Sequence, residues 1–364
     1  MRVGLLIYGS LDTLSGGYLY DRQLVNFLET KGDKVEVVTI PWRNYAQHLL
    51  DNFSGTILSM LAELEVDILI QDELNHPSLF YLNRKLKQKT GNPLVSIVHH
   101  LRSREEYPEW QRSLYASVEK RYLQSVDGFI FNSESTRKDV EDSIKGLIDG
   151  VVAYPAGNRF QQSISQEMIQ ERAQQDNALQ IIFLGNVIPR KGLDTLLAAL
   201  RNIADKEWFL SVVGNLDHDA RYAQRIMQVV KSSGISEKVI FYGPLVEEDL
   251  EKILRKSHVM AVPSYHEGFG IAYLEGMAFG LPAIATTSGG AAEIITHEEN
   301  GFLIPRDDVE LLSEYLSILI ESREILSRMG MAALDHFHQH PSWVESMSSI
   351  RDFLVYMVQK KVNK

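Results

Sequence analysis

The residues with the clearest chemical potential are Glu267 and Glu275, which bracket the run Gly268-Phe269-Gly270-Ile271-Ala272-Tyr273-Leu274. They follow an apolar segment at 258–262 that reads as a buried strand, and a helix is expected to open near Gly268. A strand, a glycine-rich turn and a helix start aim backbone N–H groups and the positive helix end at one place, which suits an anion. Gly268 and Gly270 let the backbone approach a phosphate closely. Only Glu275 falls fully inside the helix, where a carboxylate can still accept hydrogen bonds from sugar or ribose hydroxyls. The plainer alternative makes Glu267 a dipole-complementing residue and Glu275 a surface acid.

A second unit of this kind is Leu184-Gly185-Asn186-Val187-Ile188-Pro189-Arg190-Lys191-Gly192-Leu193-Asp194. Arg190 offers a planar fork for phosphate and Lys191 a point charge. Cations at a helix N-terminus oppose the macrodipole unless an anion binds there, which favours phosphate over two solvated basic residues. Gly16-Gly17 joins the first strand to the first helix without the G-x-G-x-x-G spacing, so the dinucleotide-dehydrogenase fingerprint is absent. His99 and His100 end a strand in the N-terminal half. Strand neighbours point to opposite faces, so this pair does not indicate a metal. Asp217-His218-Asp219 matches the D-x-D pattern by which some sugar-transferring enzymes hold a divalent cation. Asp219 is better placed to cap a helix opening near Ala220. The G-x-S-x-G elbow, a Walker A loop and H-E-x-x-H are missing.

The elements that must position these residues alternate between short apolar strands and helix-length amphipathic segments, which argues for α/β architecture with mostly parallel sheets. Strands are expected at 3–8, 35–40, 67–71, 94–98, 128–132 and 151–153, separated by segments such as 17–31, 77–90 and 107–125. Residues 158–179 break the rhythm: they are Gln-rich and polar, and read as a linker. Strands resume at 180–185, then near 208–213, 238–241, 258–262, 282–285 and 302–304. From 307 the chain reads as helical, with a break at Pro341 and a last amphipathic helix from Trp343 to Val358. The domains expected are 1–157, joined by the terminal helix 342–364, and 180–341. Both are doubly wound, and ligands should sit at the carboxyl ends of the strands facing a cleft.

At 364 residues, 45% of them apolar, the chain suffices for two domains with their own cores, and disorder is excluded. With no cysteine, disulfides, thiolate zinc sites and a cysteine nucleophile are ruled out, and a reducing compartment is suited. No apolar run is long enough to span a bilayer, and the N-terminal apolar stretch reads as a strand rather than a signal peptide. The net charge of −11 argues against nucleic-acid binding. One stretch departs: residues 84–121 hold nine Lys or Arg against four Glu. It is expected to be a solvated helical face, with docking to an anionic acceptor or lipid surface as the sharper alternative. Just after a strand, the segment Trp42 to Leu50 is rich in aromatic residues.

Taken in order, Gly16-Gly17, His99, Asn132-Ser133-Glu134-Ser135, Lys191-Gly192, Gly243 and Glu267 to Glu275 resemble the retaining glycosyltransferases of family 4, with the GT-B fold. Gly280-Leu281-Pro282 and Gly289-Gly290 with Glu293 extend the likeness over nearly the whole chain. The resemblance implies two Rossmann-like domains and a terminal helix crossing back onto the first. It implies that Glu267 contacts donor-sugar hydroxyls, that backbone N–H groups from Phe269 to Ile271 lie beside sugar and diphosphate, and that Glu275 holds the ribose. Lys191 falls on the diphosphate, the backbone of Leu245 reads the base, His99 lies near the donor sugar and Gly17 near the phosphates. Where the family commonly has an arginine this chain has Asn186, and Arg190 is the candidate replacement. The usual Asn-Gly before the linker is Ala156-Gly157.

The resemblance implies a metal-independent hexosyl transfer from a nucleoside-diphosphate sugar, UDP favoured, to a saccharide or lipid-linked saccharide in polysaccharide or glycan biosynthesis. It needs no cofactor, and touches the inner face of a membrane transiently at most, from the cytoplasm. A sugar-nucleotide epimerase or phosphorylase on the same fold, or a silent nucleotide-binding protein, is the alternative.

Overall fold

The computed structural model describes residues 1–362 apart from 14, 147, 161–163 and 176. The chain divides into two compact units, one of Met1–Pro155 with Pro341–Lys364 and one of Ala156–His340.

The first unit holds strands β1 (Arg2–Tyr8), β2 (Lys34–Ile40), β3 (Ile68–Asp72), β4 (Leu94–Val98), β5 (Gly128–Phe131) and β6 (Gly150–Val152). They form one sheet in the order β2-β1-β3-β4-β5-β6, every pair parallel, with Leu5 opposite Val37 on one side and Ile70 on the other. β3, β4 and β5 are buried throughout, as expected of central parallel strands covered on both faces, whereas edge strand β2 is only partly covered. On one face Leu6, Tyr8, Val98 and Phe131 pack with helical residues Leu79, Leu82, Leu86 and Tyr122.

The last helix, Trp343–Val362, belongs to this unit. It buries Met347, Ile350, Leu354 and Met357 at helical spacing, each stabilising the docked helix by roughly 1.5–3 kcal/mol. It lies against β5, where a Cβ on Gly128 would meet Phe353 at 2.9 Å, and Arg351 Nε donates to Asp33 Oδ2 at 2.7 Å. Residues 363 and 364 of the expected helix lie outside the described residues.

The second unit holds β7 (Leu179–Leu184), β8 (Trp208–Val213), β9 (Val239–Gly243), β10 (Val259–Ala261), β11 (Ala283–Thr286) and β12 (Gly301–Ile304), in the order β12-β11-β10-β7-β8-β9. All its pairs are parallel, and Ile181 lies between Leu210 and Val259. Strand order reverses between β7 and β10 here, and between β1 and β3 in the first sheet. Doubly wound sheets bind ligands outside the carboxyl ends of strands at such reversals.

The segment 158–179 is not a plain linker. Ser165 caps a helix at Gln166–Gln174, and Ile164 and Ile169 are buried with Leu334. Within that helix Arg172 is buried and donates to the carbonyls of Arg255, Phe279 and Gly280. The segment therefore belongs to the second unit. Its glutamines hid this because a surface helix needs only a narrow apolar stripe. Residues 161–163 and 176 of that segment lie outside the described residues.

Candidate active site

In the second unit the loops after β7 and β10 meet at the strand-order reversal. Pro189–Lys191 forms a short 3-10 turn, and Gly192 follows with φ of +68°. A Cβ on Gly192 would lie 2.1 Å from the Pro263 carbonyl oxygen, so glycine is needed for both the backbone conformation and the close approach. The amide of Tyr265 then donates to the Arg190 carbonyl at 2.8 Å, tying the two loops together.

This contact places Lys191 Nζ 2.5 Å from Glu267 Oε2. Ser264 Oγ donates to the same oxygen at 3.1 Å. Arg190 Nη1 lies 3.8 Å from Glu267 Oε1 and donates to the His266 carbonyl at 2.8 Å. Burial pushes the Glu267 carboxyl up, but Lys191 and then Arg190 outweigh it and hold it at about 2. Burial lowers the Lys191 ammonium, against the pull of Glu267. Glu267 is held from behind by Gly289, whose φ of +86° and missing Cβ let its backbone pair with that of Glu267.

The helix expected near Gly268 begins at Ile271. Gly268 and Phe269 lie in the loop and Gly270, at φ of +102°, is where the chain turns into the helix. Phe269 is buried, with its ring 5.7 Å from that of His340. Within the helix Glu275 is buried rather than a surface acid. Arg159 Nη1 stands 3.7 Å from Glu275 Oε1 while Arg159 Nε stands 3.5 Å from Glu247 Oε2. Burial pushes the Glu275 carboxyl up to about 7, against Arg159. Leu245 is half-buried after β9, two residues before Glu247.

In the first unit Gly17 and His99 touch: a Cβ on Gly17 would come 3.2 Å from His99 Cδ2. β4 ends at Val98, so His99 and His100 lie beyond the strand that was expected to carry them, and His100 Nε2 turns to Glu105 Oε1 at 2.8 Å. His99 nonetheless meets two carboxylates from other elements, Asp21 on the first helix and Asp72 at the end of β3. The ligand atoms of these three lie within 4.8 Å of one another, as do those of Glu73, His76 and Glu119. In the second set Ser103 already donates to Glu119, and both His76 nitrogens have partners. Asp219 caps the helix Ala220–Ser232 through the Tyr222 amide at 3.0 Å, and Asp217 is exposed.

The stretch 84–121 is not one helical face. Lys87 pairs with Asp127 at 2.7 Å and Arg104 with Asp139 at 2.8 Å, while Arg102 is enclosed by the rings of Tyr45, Tyr107 and Tyr115. In the segment 42–50, His48 turns inward and stacks on Tyr8 whereas Trp42 stays half exposed.

Four residues at these sites escaped the sequence reading: Asp21, Asp72, Ser264 and Arg159. Asp21 left a signal, because it shares the buried helical stripe of Leu24, Val25 and Leu28. An acid on an apolar stripe asks for a partner. Asp72 closes an apolar strand, a weaker signal. Arg159 left none, since it stands in the segment taken for a linker.

Residues 17–146 match the family model described as Glycosyltransferase Family 4, and residues 165–336 the model described as Glycosyl transferases group 1. The chain belongs to the GT-B glycosyltransferases of the family 4 type, and it is a glycosyltransferase. It is 21% identical over 87% of its length, and 78% of the relative's, to a D-inositol 3-phosphate glycosyltransferase of Corynebacterium efficiens. It is 33% identical over 43% of its length to a GDP-mannose-dependent monoacylated alpha-(1-6)-phosphatidylinositol monomannoside mannosyltransferase of Corynebacterium glutamicum, spanning 42% of that relative. The fold is similar to that of sucrose-phosphate synthase from Thermosynechococcus elongatus, with a TM-score of 0.83 and 19% identity over 99% of both chains. It is also similar to that of Anabaena HepE in complex with UDP and glucose, with a TM-score of 0.74 and 19% identity over 98% of this chain and 100% of that one.

Proposed function

We propose that the enzyme transfers a hexosyl group from a nucleoside-diphosphate sugar, with retention and without a metal, to a saccharide or lipid-linked saccharide at the cytoplasmic side of a membrane. The observation that carries this reading is the Lys191–Glu267 pair, with Arg190 beside it, at the reversal between β7 and β10.

Cleaving the bond between the anomeric carbon and the diphosphate leaves negative charge on the departing oxygen. Charges that act more strongly on that oxygen as the bond breaks accelerate the step. Lys191 and Arg190 are the cations in place to do so. Glu267, held ionised, accepts hydrogen bonds from donor-sugar hydroxyls and does not act as an acid. Glu275 with Arg159 takes the ribose hydroxyls, and the Leu245 backbone reads the base. The acceptor oxygen bonds to the anomeric carbon on the face the diphosphate leaves, and its proton passes to the departing phosphate oxygen. Gly17 and His99 complete the donor contacts in this reading.

UDP is the favoured base. GDP-mannose is the second reading, supported by the name of the Corynebacterium glutamicum relative. The named substrates of the two curated relatives, an inositol phosphate and a phosphatidylinositol mannoside, favour a phosphate-bearing or lipid-linked acceptor. No helix among the described residues is long and apolar enough to cross a membrane. A panel of UDP- and GDP-sugars with saccharide and lipid-linked acceptors, read by release of nucleoside diphosphate and by the anomeric configuration of the product, tests the proposal. Inverted product would refute retention, and no release with any pair would count against transfer.

A further inference from the structure

Behind His99 the first unit keeps a carboxylate with no structural bond. Asp21 has no exposed surface, and neither of its carboxylate oxygens has a hydrogen-bond partner. Burying a carboxylate in that state is unfavourable unless a cation meets it. The group facing it is His99, whose Nε2 is 3.6 Å from Asp21 Oδ1 and is itself buried without a hydrogen-bond partner. Asp72, almost fully buried, accepts from the Leu74 amide at 2.9 Å and stands within reach of both. The ring is fixed from its other sides. Tyr20 packs edge-on at 5.4 Å, and Asn132 Nδ2 donates to the His99 carbonyl at 2.9 Å. A side chain at position 17 would press on the Cδ2–Nε2 edge and push the ring off Asp21.

We propose that Asp21 is a positioning residue for the transfer: backed by Asp72, it holds His99 as an imidazolium with Nε2–H turned inward, leaving Nδ1–H as the donor offered to the sugar nucleotide. What His99 meets rests on the transferase reading, whereas the Asp21–His99 link rests on geometry alone. The titratable groups facing His99 are Asp21 and Tyr20 from the first helix, Asp72 at the end of β3 and Glu73 in the turn that follows it. Burial works against the charged ring, but Asp21, then Asp72 and Glu73, outweigh it and raise its pKa above the ordinary histidine value. Asp72 is pushed up to about 7 by burial and by Asp21. As the pH rises through that value, the charge Asp72 gains helps His99 keep its proton.

A ring-NMR titration of the full chain, with His99 assigned through His99→Gln, compares the native protein with Asp21→Asn. The expected result is a His99 pKa that falls by about one unit or more in the variant. UDP or GDP affinity by calorimetry should stay within about twofold. With a donor that turns over, kcat should fall about tenfold near neutral pH, the loss shrinking only once the pH is low enough to protonate the variant's ring. An unmoved His99 titration overturns the proposal whether or not transfer is found, while failure to find any donor counts against the transferase reading instead. Should Asp21→Asn not fold, Asp72→Asn is expected to shift His99 in the same direction by less, and no shift overturns the proposal equally. Zinc or manganese titrated into the native chain is the remaining arm. Tight binding that Asp21→Asn abolishes would make the trio a cation site and overturn the positioning role.

Discussion

Lys191 and Glu267 are 76 residues apart in the chain, and their Nζ and Oε2 atoms are 2.5 Å apart. The pair keeps Glu267 a carboxylate at any working pH, so this acid accepts hydrogen bonds and gives up no proton. It also engages Lys191, so under the proposed reading a diphosphate competes with Glu267 for the ammonium.

Removing either cation separates their roles. Lys191→Ala and Arg190→Ala should each lower turnover by about 10²-fold or more, as expected for charges aimed at a leaving group. They should differ in stability. Lys191→Ala strands a mostly buried carboxylate and should cost about 3 kcal/mol. Arg190 lies at 3.8 Å and is more exposed, so its loss should cost under about 1 kcal/mol by urea denaturation. Normal turnover in Arg190→Ala would show that this residue does not replace the family arginine absent at Asn186.

The two acids should part in a binding assay. Glu267→Gln is expected to cut kcat while leaving nucleoside-diphosphate affinity nearly intact. Glu275→Gln should weaken that affinity itself. Calorimetry giving the reverse pattern would exchange the two assignments.

Their pH dependences run in opposite directions. The Glu267 carboxyl is lowered from 4.5 to about 2, so its stabilising contribution is complete above about 4.5 and is lost as the pH falls through 2. The Glu275 carboxyl is raised from 4.5 to about 7, so the folded state binds that proton more tightly than the unfolded chain does. Its contribution is greatest below about 4.5 and declines as the pH rises to 7. Glu275→Gln should remove a decline of roughly 3 kcal/mol across that window. Urea denaturation at a series of pH values measures it, and an unchanged slope in the variant would mean that Glu275 does not titrate there.

Transfer should survive a chelator if, as proposed, Lys191 and Arg190 meet the diphosphate. Loss of activity in chelator with recovery on manganese would refute the metal-independent mechanism. It would turn attention to Asp21, Asp72 and His99, whose ligand atoms lie within 4.8 Å of one another.

Binding to anionic vesicles in the absence of acceptor should be weak. Three of the nine cations in 84–121 are held within the fold by Asp127, Asp139 or the tyrosines around Arg102. Strong, salt-sensitive co-sedimentation would instead make this stretch a membrane-docking face.

The alternation of strands and helices was legible in the sequence because each element's period is local: the continuous apolar runs of β3 and β4 and the capping residue Asp219 speak for themselves. The positions of Lys191 and Glu267, at Gly-rich turns that follow strands, were legible in the same way. The helix start at Ile271 rather than Gly268 was not legible, because a left-handed Gly270 marks the turn and composition carries no φ. Nor was the packing of 158–179, where a few buried anchors decide the outcome over many exposed glutamines.

By itself the sequence determined the two doubly wound units, the residues that stand at their strand ends and the acid and basic types available there, because periodicity and turn chemistry act over a few residues. Tertiary structure decided which of those residues meet. Strand order brings the loops after β7 and β10 together and the ends of β1, β3 and β4 together. Only that juxtaposition pairs Lys191 with Glu267, sets Arg159 against Glu275 and places Asp21 behind His99. Charges act on one another through space and burial, and neither is written in the spacing of residues along a chain.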